Sequence, residues 1–268
     1  MNKWLKKSIQ IAQQEDYLDR LQKVYKLPTN ERRELDARIW NKVDIAYHNK
    51  NDIELIKSLL DLELFPIKHS FVAYFRREPT SINRNPKTVE EIANVIYSLG
   101  IEAIKIRCEE PKETNRQIGP LFKNYLIDTE LGIAKQYQVE FRNNTKDAIY
   151  IGSDDDSKKF AAENLGYKRN KGLDFLARIS GKYLIGEAKF LTDFGGHQNA
   201  QLDDAYSTLN ANVEGAEKIL ILDGVLFIKN TGKMYQTITQ DYQNENIMSA
   251  ILLKEFIAEK IGEAWIWK

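Results

Sequence analysis

The chain has 268 residues, 43% hydrophobic and 29% charged, which is enough for one large domain or two modest ones around a buried core. Lysine plus arginine equals aspartate plus glutamate, 39 each, so the formal net charge is zero, and a nucleic-acid partner would have to be met by positive charge gathered on one face. A single cysteine, Cys108, excludes an internal disulfide and a cysteine zinc cluster, and the three histidines, His48, His69 and His197, lie far apart, against a histidine-rich metal site.

The opening residues lack the apolar stretch of a secretory leader, and no apolar run approaches ~20 residues, so a cytoplasmic protein with no membrane span is expected. Ile9, Ala12, Leu18, Leu21 and Val24 recur near helical spacing up to Pro28. Leu35, Ile39, Val43 and Ala46 form a second stripe, and Ile53, Ile56, Leu59 and Leu60 a third that stops at Pro66. A polar loop follows, carrying Arg76, Arg77, Arg84 and Lys87 among Pro79, Asn83, Asn85 and Pro86. Thr88 with Glu91 three places on is a capping box, which predicts a helix over Ile92, Val95, Ile96 and Leu99, closed by Gly100. Residues 101–107 read as a short strand, and 111–120, with Arg116 and Gln117, as a polar turn leading into apolar 121–126.

The character changes near residue 128. The expected organisation is a mainly helical N-terminal region, 1–127, serving recognition or dimerisation, followed by an α/β core, 128–268. In the second part Ser153 is placed to cap a helix over 154–165 that ends at Gly166. Residues 173–179 and 183–190 read as strands joined by a turn at Ser180-Gly181-Lys182. A helix over 199–210, a β-prone run over 218–228 and a closing helix over 247–261 complete an α/β pattern with the strands inside.

The chemistry concentrates on the hairpin. Asp174 begins its first strand, and Glu187 and Lys189 lie two apart on its second, so they share a face. Their neighbours Phe175, Leu176, Ile179, Leu184, Ile185 and Phe190 are apolar, and charges in such a place are costly unless they pair or bind a metal. Two carboxylates, with the backbone carbonyl of Ala188, suit a hard cation such as magnesium. Such an ion polarises a phosphate oxygen and lowers the pKa of a bound water, while Lys189 can orient that water or neutralise developing charge. Phosphodiester hydrolysis has these requirements. The plainer alternative is a surface hairpin with a Glu–Lys pair and an unrelated aspartate.

This segment resembles the PD-(D/E)xK nuclease superfamily, and in particular type II restriction endonucleases. Asp174 matches the first aspartate and Glu187-Ala188-Lys189 the tripeptide, while Leu173 stands where the superfamily name has proline. The stretches 190–201 and 221–224 are also similar to restriction enzymes, so that the core resemblance covers about residues 150 to 230. It implies a restriction-endonuclease-like fold, a mixed central sheet flanked by helices, behind a mainly helical N-terminal region. It also implies magnesium-dependent, sequence-specific cutting of double-stranded DNA by a homodimer in a prokaryotic cytoplasm, leaving 5′-phosphate and 3′-hydroxyl ends. In the resembling nucleases a glutamate on the preceding helix often completes the metal site, and here that residue is Glu163.

Several polar groups are expected to contact DNA. Asp193, His197, Gln198, Asn199 and Gln201 follow the second strand closely, and Asn and Gln can read adenine edges. Lys168, Arg169 and Lys171 precede Asp174 and could hold backbone phosphates, as could Arg76, Arg77, Arg84 and Lys87 ahead of a helix start, and Arg116. Beside a plain structural domain that carries the motif by coincidence, two rivals remain. One is a repair or junction-resolving nuclease of the same superfamily, which cuts by DNA structure. The other is a non-catalytic DNA-binding protein, against which the intact Asp174, Glu187 and Lys189 argue.

Overall fold

A computed structural model describes residues 1–26, 32–111, 118–229 and 232–266, with side chains up to 262. The chain divides into two compact units, one made of residues 1–27 and 113–268, the other of 28–112. Two helices, α1 (Lys3–Ile11) and α2 (Tyr17–Val24), open the first unit; the apolar stripe that runs toward Pro28 is broken between them.

The second unit is entirely helical among its described residues. Its helices are α3 (Ala37–His48), α4 (Asp52–Leu60), α5 (Ser70–Arg77), α6 (Ser81–Arg84), α7 (Pro86–Leu99) and α8 (Ile101–Cys108). Asp36 and Asn51 cap α3 and α4 by accepting from backbone N–H groups of their first turns. The expected stripes supply the core: Val43, Leu55, Ile56, Leu59, Ile92, Ile96, Ile104 and Cys108 are all buried together. Three expectations need correction here, the first being the polar loop around Arg76, Arg77, Arg84 and Lys87, which is largely taken up by α5, α6 and the start of α7. The helix expected from Thr88 starts earlier, with Pro86 in its first turn, where a missing N–H costs nothing, so Thr88 lies inside it. Residues 101–107 form a helix and not a strand: Gly100 turns the chain at φ +80, and Ile104 and Cys108, four apart, bury one helical face.

The first unit resumes with α9 (Ile118–Asp128), β1 (Ala134–Tyr137), α10 (Gln138–Asn143), β2 (Ala148–Ile151) and α11 (Asp154–Leu165). Then come β3 (Phe175–Ile179), β4 (Lys182–Leu191), α12 (Gly196–Leu209), β5 (Ala216–Gly224), α13 (Lys233–Gln236), β6 (Ile247–Met248) and α14 (Leu253–Ile266). The six strands form one mixed sheet in the order β1-β2-β3-β4-β5-β6. β2, β3 and β4 run antiparallel to their neighbours in turn, whereas β1 is parallel to β2 and β4, β5 and β6 are parallel. This is the α/β architecture expected. The run expected over 218–228 ends at Gly224, whose φ of +97 bends the chain into a short turn. The closing helix starts at Leu253, because Ile247 and Met248 are taken up as a sixth strand beside Leu220 and Ile221.

Alternation along the strands sets up two faces. Ala177, Leu184, Ala188, Ile219 and Ile221 pack with α2, α9 and α14. The opposite face meets α11 through Leu176 and Ile185, and α12 through Leu191, Leu220 and Leu222. The helices α1 and α2 therefore pack with the sheet although they lie far from it in sequence. Among the described residues no helix is long and apolar enough to cross a membrane.

A buried polar knot fixes the first face. Asp223, fully buried in β5, accepts from the Tyr25 hydroxyl at 2.9 Å, the Tyr17 hydroxyl at 3.4 Å, the Ser249 hydroxyl, and the Ala250 N–H at 3.1 Å. Burial pushes this carboxyl up to about 7, and the hydrogen bonds only partly offset it. A raised carboxyl favours the folded state most below its ordinary value of 3.8, and that contribution is lost as pH rises to about 7. In urea titrations, the stability of the wild type relative to Asp223→Asn is therefore expected to fall steadily between those two pH values; a flat difference would contradict the titration. Asp223→Ala, which strands buried hydroxyls, is expected to cost about 3 kcal/mol.

Candidate active site

The hairpin brings its three charged residues to one point. Asp174 lies immediately before β3, held by its neighbours. The Leu173 N–H donates to Ser157 Oγ on α11 at 3.1 Å, and Ser157 donates back to the Leu173 carbonyl at 3.3 Å. A proline at 173 has no N–H to give, so the leucine at this position is used by the local structure. Gly172 lets the chain press onto the start of α11, since a Cβ there would lie 2.3 Å from Asp154 Cβ.

On β4, Glu187 and Lys189 point to the face covered by α11 and α12. Glu187 has no exposed surface. The Lys189 ammonium donates to Asp174 Oδ2 at 2.9 Å, to Glu187 Oε2 at 3.0 Å and to the Ala188 carbonyl at 3.1 Å. The Ala188 N–H also donates to Asp174 Oδ2, at 3.0 Å. Two carboxylates and a carbonyl thus converge on one cation, and the ammonium stands where a hard metal ion would find an oxygen set to its liking.

The ionisation of the three follows from their burial together. Burial raises the Asp174 carboxyl, but Lys189 and two hydrogen bonds outweigh it and hold the group below the usual carboxylate value. Burial and the charge of Asp174 raise Glu187, and Lys189 and Lys171 only partly oppose them. Burial lowers Lys189, yet the two carboxylates raise it on balance, so it stays protonated.

Residues 2–260 match the model of the Tsp45I type II restriction enzymes. The chain belongs to that family. No curated protein and no solved structure matches it. As a restriction enzyme of the Tsp45I family it is a nuclease that acts on DNA.

The other expected residues fall into separate places. Glu163, on α11, is exposed and pairs with Arg142 at 2.6 Å; its hydrogen bonds and ion pairs include none to Asp174, Glu187 or Lys189. Arg169 and Lys171 are not free for phosphate: Lys171 contacts Glu187 Oε2 at 2.6 Å and also Asp204, while Arg169 holds Asp204 at 2.7 Å. Lys168 is exposed.

Asp193, His197, Gln198, Asn199 and Gln201 gather around the start of α12. Asp193 caps the Phe194 N–H, Gln198 accepts from Thr192, Asn199 donates to the Phe194 carbonyl, and Gln201 meets His197 at 3.0 Å. Their contacts shape a polar, largely exposed loop. In the helical unit Arg76 donates to the Leu62 carbonyl at 2.9 Å and Arg84 pairs with Glu78 at 3.5 Å, while Arg77 and Lys87 are exposed. Arg116 lies outside the described residues.

Sequence reasoning missed Asp204 and Thr208. They lie four apart on α12, and the Thr208 hydroxyl donates to Glu187 Oε1 at 3.3 Å. An Asp and a Thr at helical spacing are too common to stand out, and the signal lies in the contacts. With Glu163 committed to Arg142, Glu163→Ala is expected to leave the rate of DNA cleavage within about twofold of wild type in timed digests. A loss of a hundredfold or more would make Glu163 part of the active site.

Proposed function

We propose that this restriction enzyme is a magnesium-dependent endonuclease of the PD-(D/E)xK type that hydrolyses double-stranded DNA at a short specific sequence. The observation that carries the reading is the convergence of Asp174, Glu187 and the Ala188 carbonyl on the Lys189 ammonium within 3.1 Å. Asp174 and Glu187 would hold the ion, with the Ala188 carbonyl as a third donor. Bound there, magnesium supplies Lewis-acid polarisation of a phosphate oxygen and a water of lowered pKa.

The residues do the rest. Lys189, charged and flanked by both carboxylates, leaves them for the phosphate, where it orients the attacking water and neutralises charge that builds on phosphorus. Water oxygen bonds to phosphorus as the bond to the 3′ oxygen breaks, which leaves a 5′-phosphate and a 3′-hydroxyl. The polar loop at the start of α12, with Asp193, His197, Gln198, Asn199 and Gln201, serves base and phosphate contact. Within residues 1–127 the helical unit, 28–112, serves recognition or dimerisation, with the exposed Arg77 and Lys87 meeting phosphates and a homodimer reading a short site on both strands. The family match favours this over a nuclease that cuts by DNA structure.

Unmethylated phage DNA incubated with the protein and magnesium is expected to give discrete bands. Chelator should abolish them, and Lys189→Ala or Asp174→Asn should slow them by about a thousandfold. Sequencing of the fragment ends should find 5′-phosphates. Equal cutting by wild type and Lys189→Ala would remove the proposed site, and cutting that survives chelation would remove the metal.

A further inference from the structure

Glu187 is surrounded by more than the hairpin supplies. Its Oε2 meets Lys171 at 2.6 Å as well as Lys189 at 3.0 Å, and its Oε1 accepts from Thr208 at 3.3 Å. Lys171 comes from the segment between α11 and β3 and touches two carboxylates at once, Glu187 and Asp204. Arg169, from the same segment, holds the other oxygen of Asp204 at 2.7 Å and donates to the Thr208 hydroxyl. The contacts close a ring: Glu187, Lys171, Asp204, Arg169, Thr208 and back to Glu187.

Charge balances within this group. Asp174, Glu187 and Asp204 face Lys189, Lys171 and Arg169. A divalent cation arriving at Asp174 and Glu187 would add positive charge beside two ammonium groups already in contact with the same Glu187 oxygen. Repulsion between like charges a few ångströms apart in a partly buried site is strong. Lys189 has a task at the phosphate and can leave. Lys171 has no such task, but it has a second carboxylate, Asp204, on which to rest.

We infer that Lys171 and Asp204 are a positioning pair that sets how tightly Glu187 takes a divalent cation. Lys171 competes with the cation for Glu187 Oε2, and Asp204, anchored by Arg169, draws Lys171 off that oxygen. Neither touches substrate; both act through Glu187. The inference rests on the reading of Asp174 and Glu187 as metal ligands.

The test is calorimetric titration of the full chain with manganese chloride in the absence of DNA, supported by the rise in Tm with added magnesium. Lys171→Met removes the competitor and is expected to raise affinity severalfold. Asp204→Asn leaves Lys171 wholly on Glu187 and is expected to lower affinity on the order of tenfold, the usual scale for groups just behind a metal ligand. The double variant should match Lys171→Met, because Asp204 has no route to the metal without Lys171. Lys171→Gln, which keeps a donor without the charge, repeats the test if the methionine variant folds poorly.

A plain structural role would move both single variants the same way, toward weaker binding, and would overturn the inference. So would unchanged affinities, or a double variant equal to the two single effects combined. Wild type that takes up no divalent cation by either readout would overturn the metal-site reading along with it, whereas normal uptake in wild type with indifferent variants overturns the positioning pair alone.

Discussion

Glu187 lies in the middle of the sheet with no exposure to solvent, where an isolated carboxylate would cost several kcal/mol. It is held there by two ammonium groups and a hydroxyl drawn from three parts of the chain: Lys189 on its own strand, Lys171 from the segment before β3, and Thr208 on α12. Each of those partners is placed by something further out. Ser157 pins the backbone at Leu173, Gly172 allows the close approach to α11, and Asp204 with Arg169 anchors the segment to α12. The arrangement of α11 and α12 over the sheet is thus also the arrangement of charges around one carboxylate.

The opposite face is organised on the same principle with a different outcome. Asp223 is as deeply buried as Glu187, but its partners are hydroxyls and an N–H, not cations; burial raises both carboxyls, and at Glu187 the two neighbouring ammonium groups oppose the rise. One sheet therefore carries two kinds of buried acid. One is held by neutral donors and ties α2 and the turn before α14 to β5; the other is held by Lys189, Lys171 and the Thr208 hydroxyl and ties the segment before β3 and α12 to β4.

What the sequence revealed follows from how local each feature is. The β3–β4 hairpin was legible because its alternation and its turn lie within one stretch; Ser180 and Gly181 both adopt positive φ there. The helix over Asp154–Leu165 was legible because its cap, Ser153, and its stop, Gly166, adjoin it. Asp174, Glu187 and Lys189 could be grouped because that hairpin carries all three. By contrast β1, β2 and β6 have four residues or fewer, too short for a period to show, and exist through their register with neighbours. Ile101 to Cys108 misled because β-branched residues suit a strand, and only the burial of Ile104 with Cys108 shows the helical period. Asp204 was beyond reach for a plainer reason: its partners Arg169 and Lys171 lie 35 and 33 residues away.

The division of the chain has a bearing on how the protein comes into being. The helical unit, residues 28–112, closes on contacts within itself, and its pairs such as Arg33 with Glu109 are complete once that stretch has left the ribosome. α1 and α2 are made earlier still, yet their partners come last: Tyr17 waits 206 residues for Asp223, and the Ser249 N–H reaches back to the Ser8 hydroxyl. Contacts that far apart form late. The sheet that fixes Glu187 cannot settle until its last strand, Ile247–Met248, has been synthesised. A nascent chain of this restriction enzyme therefore carries a folded helical unit well before the sheet around Glu187 has formed.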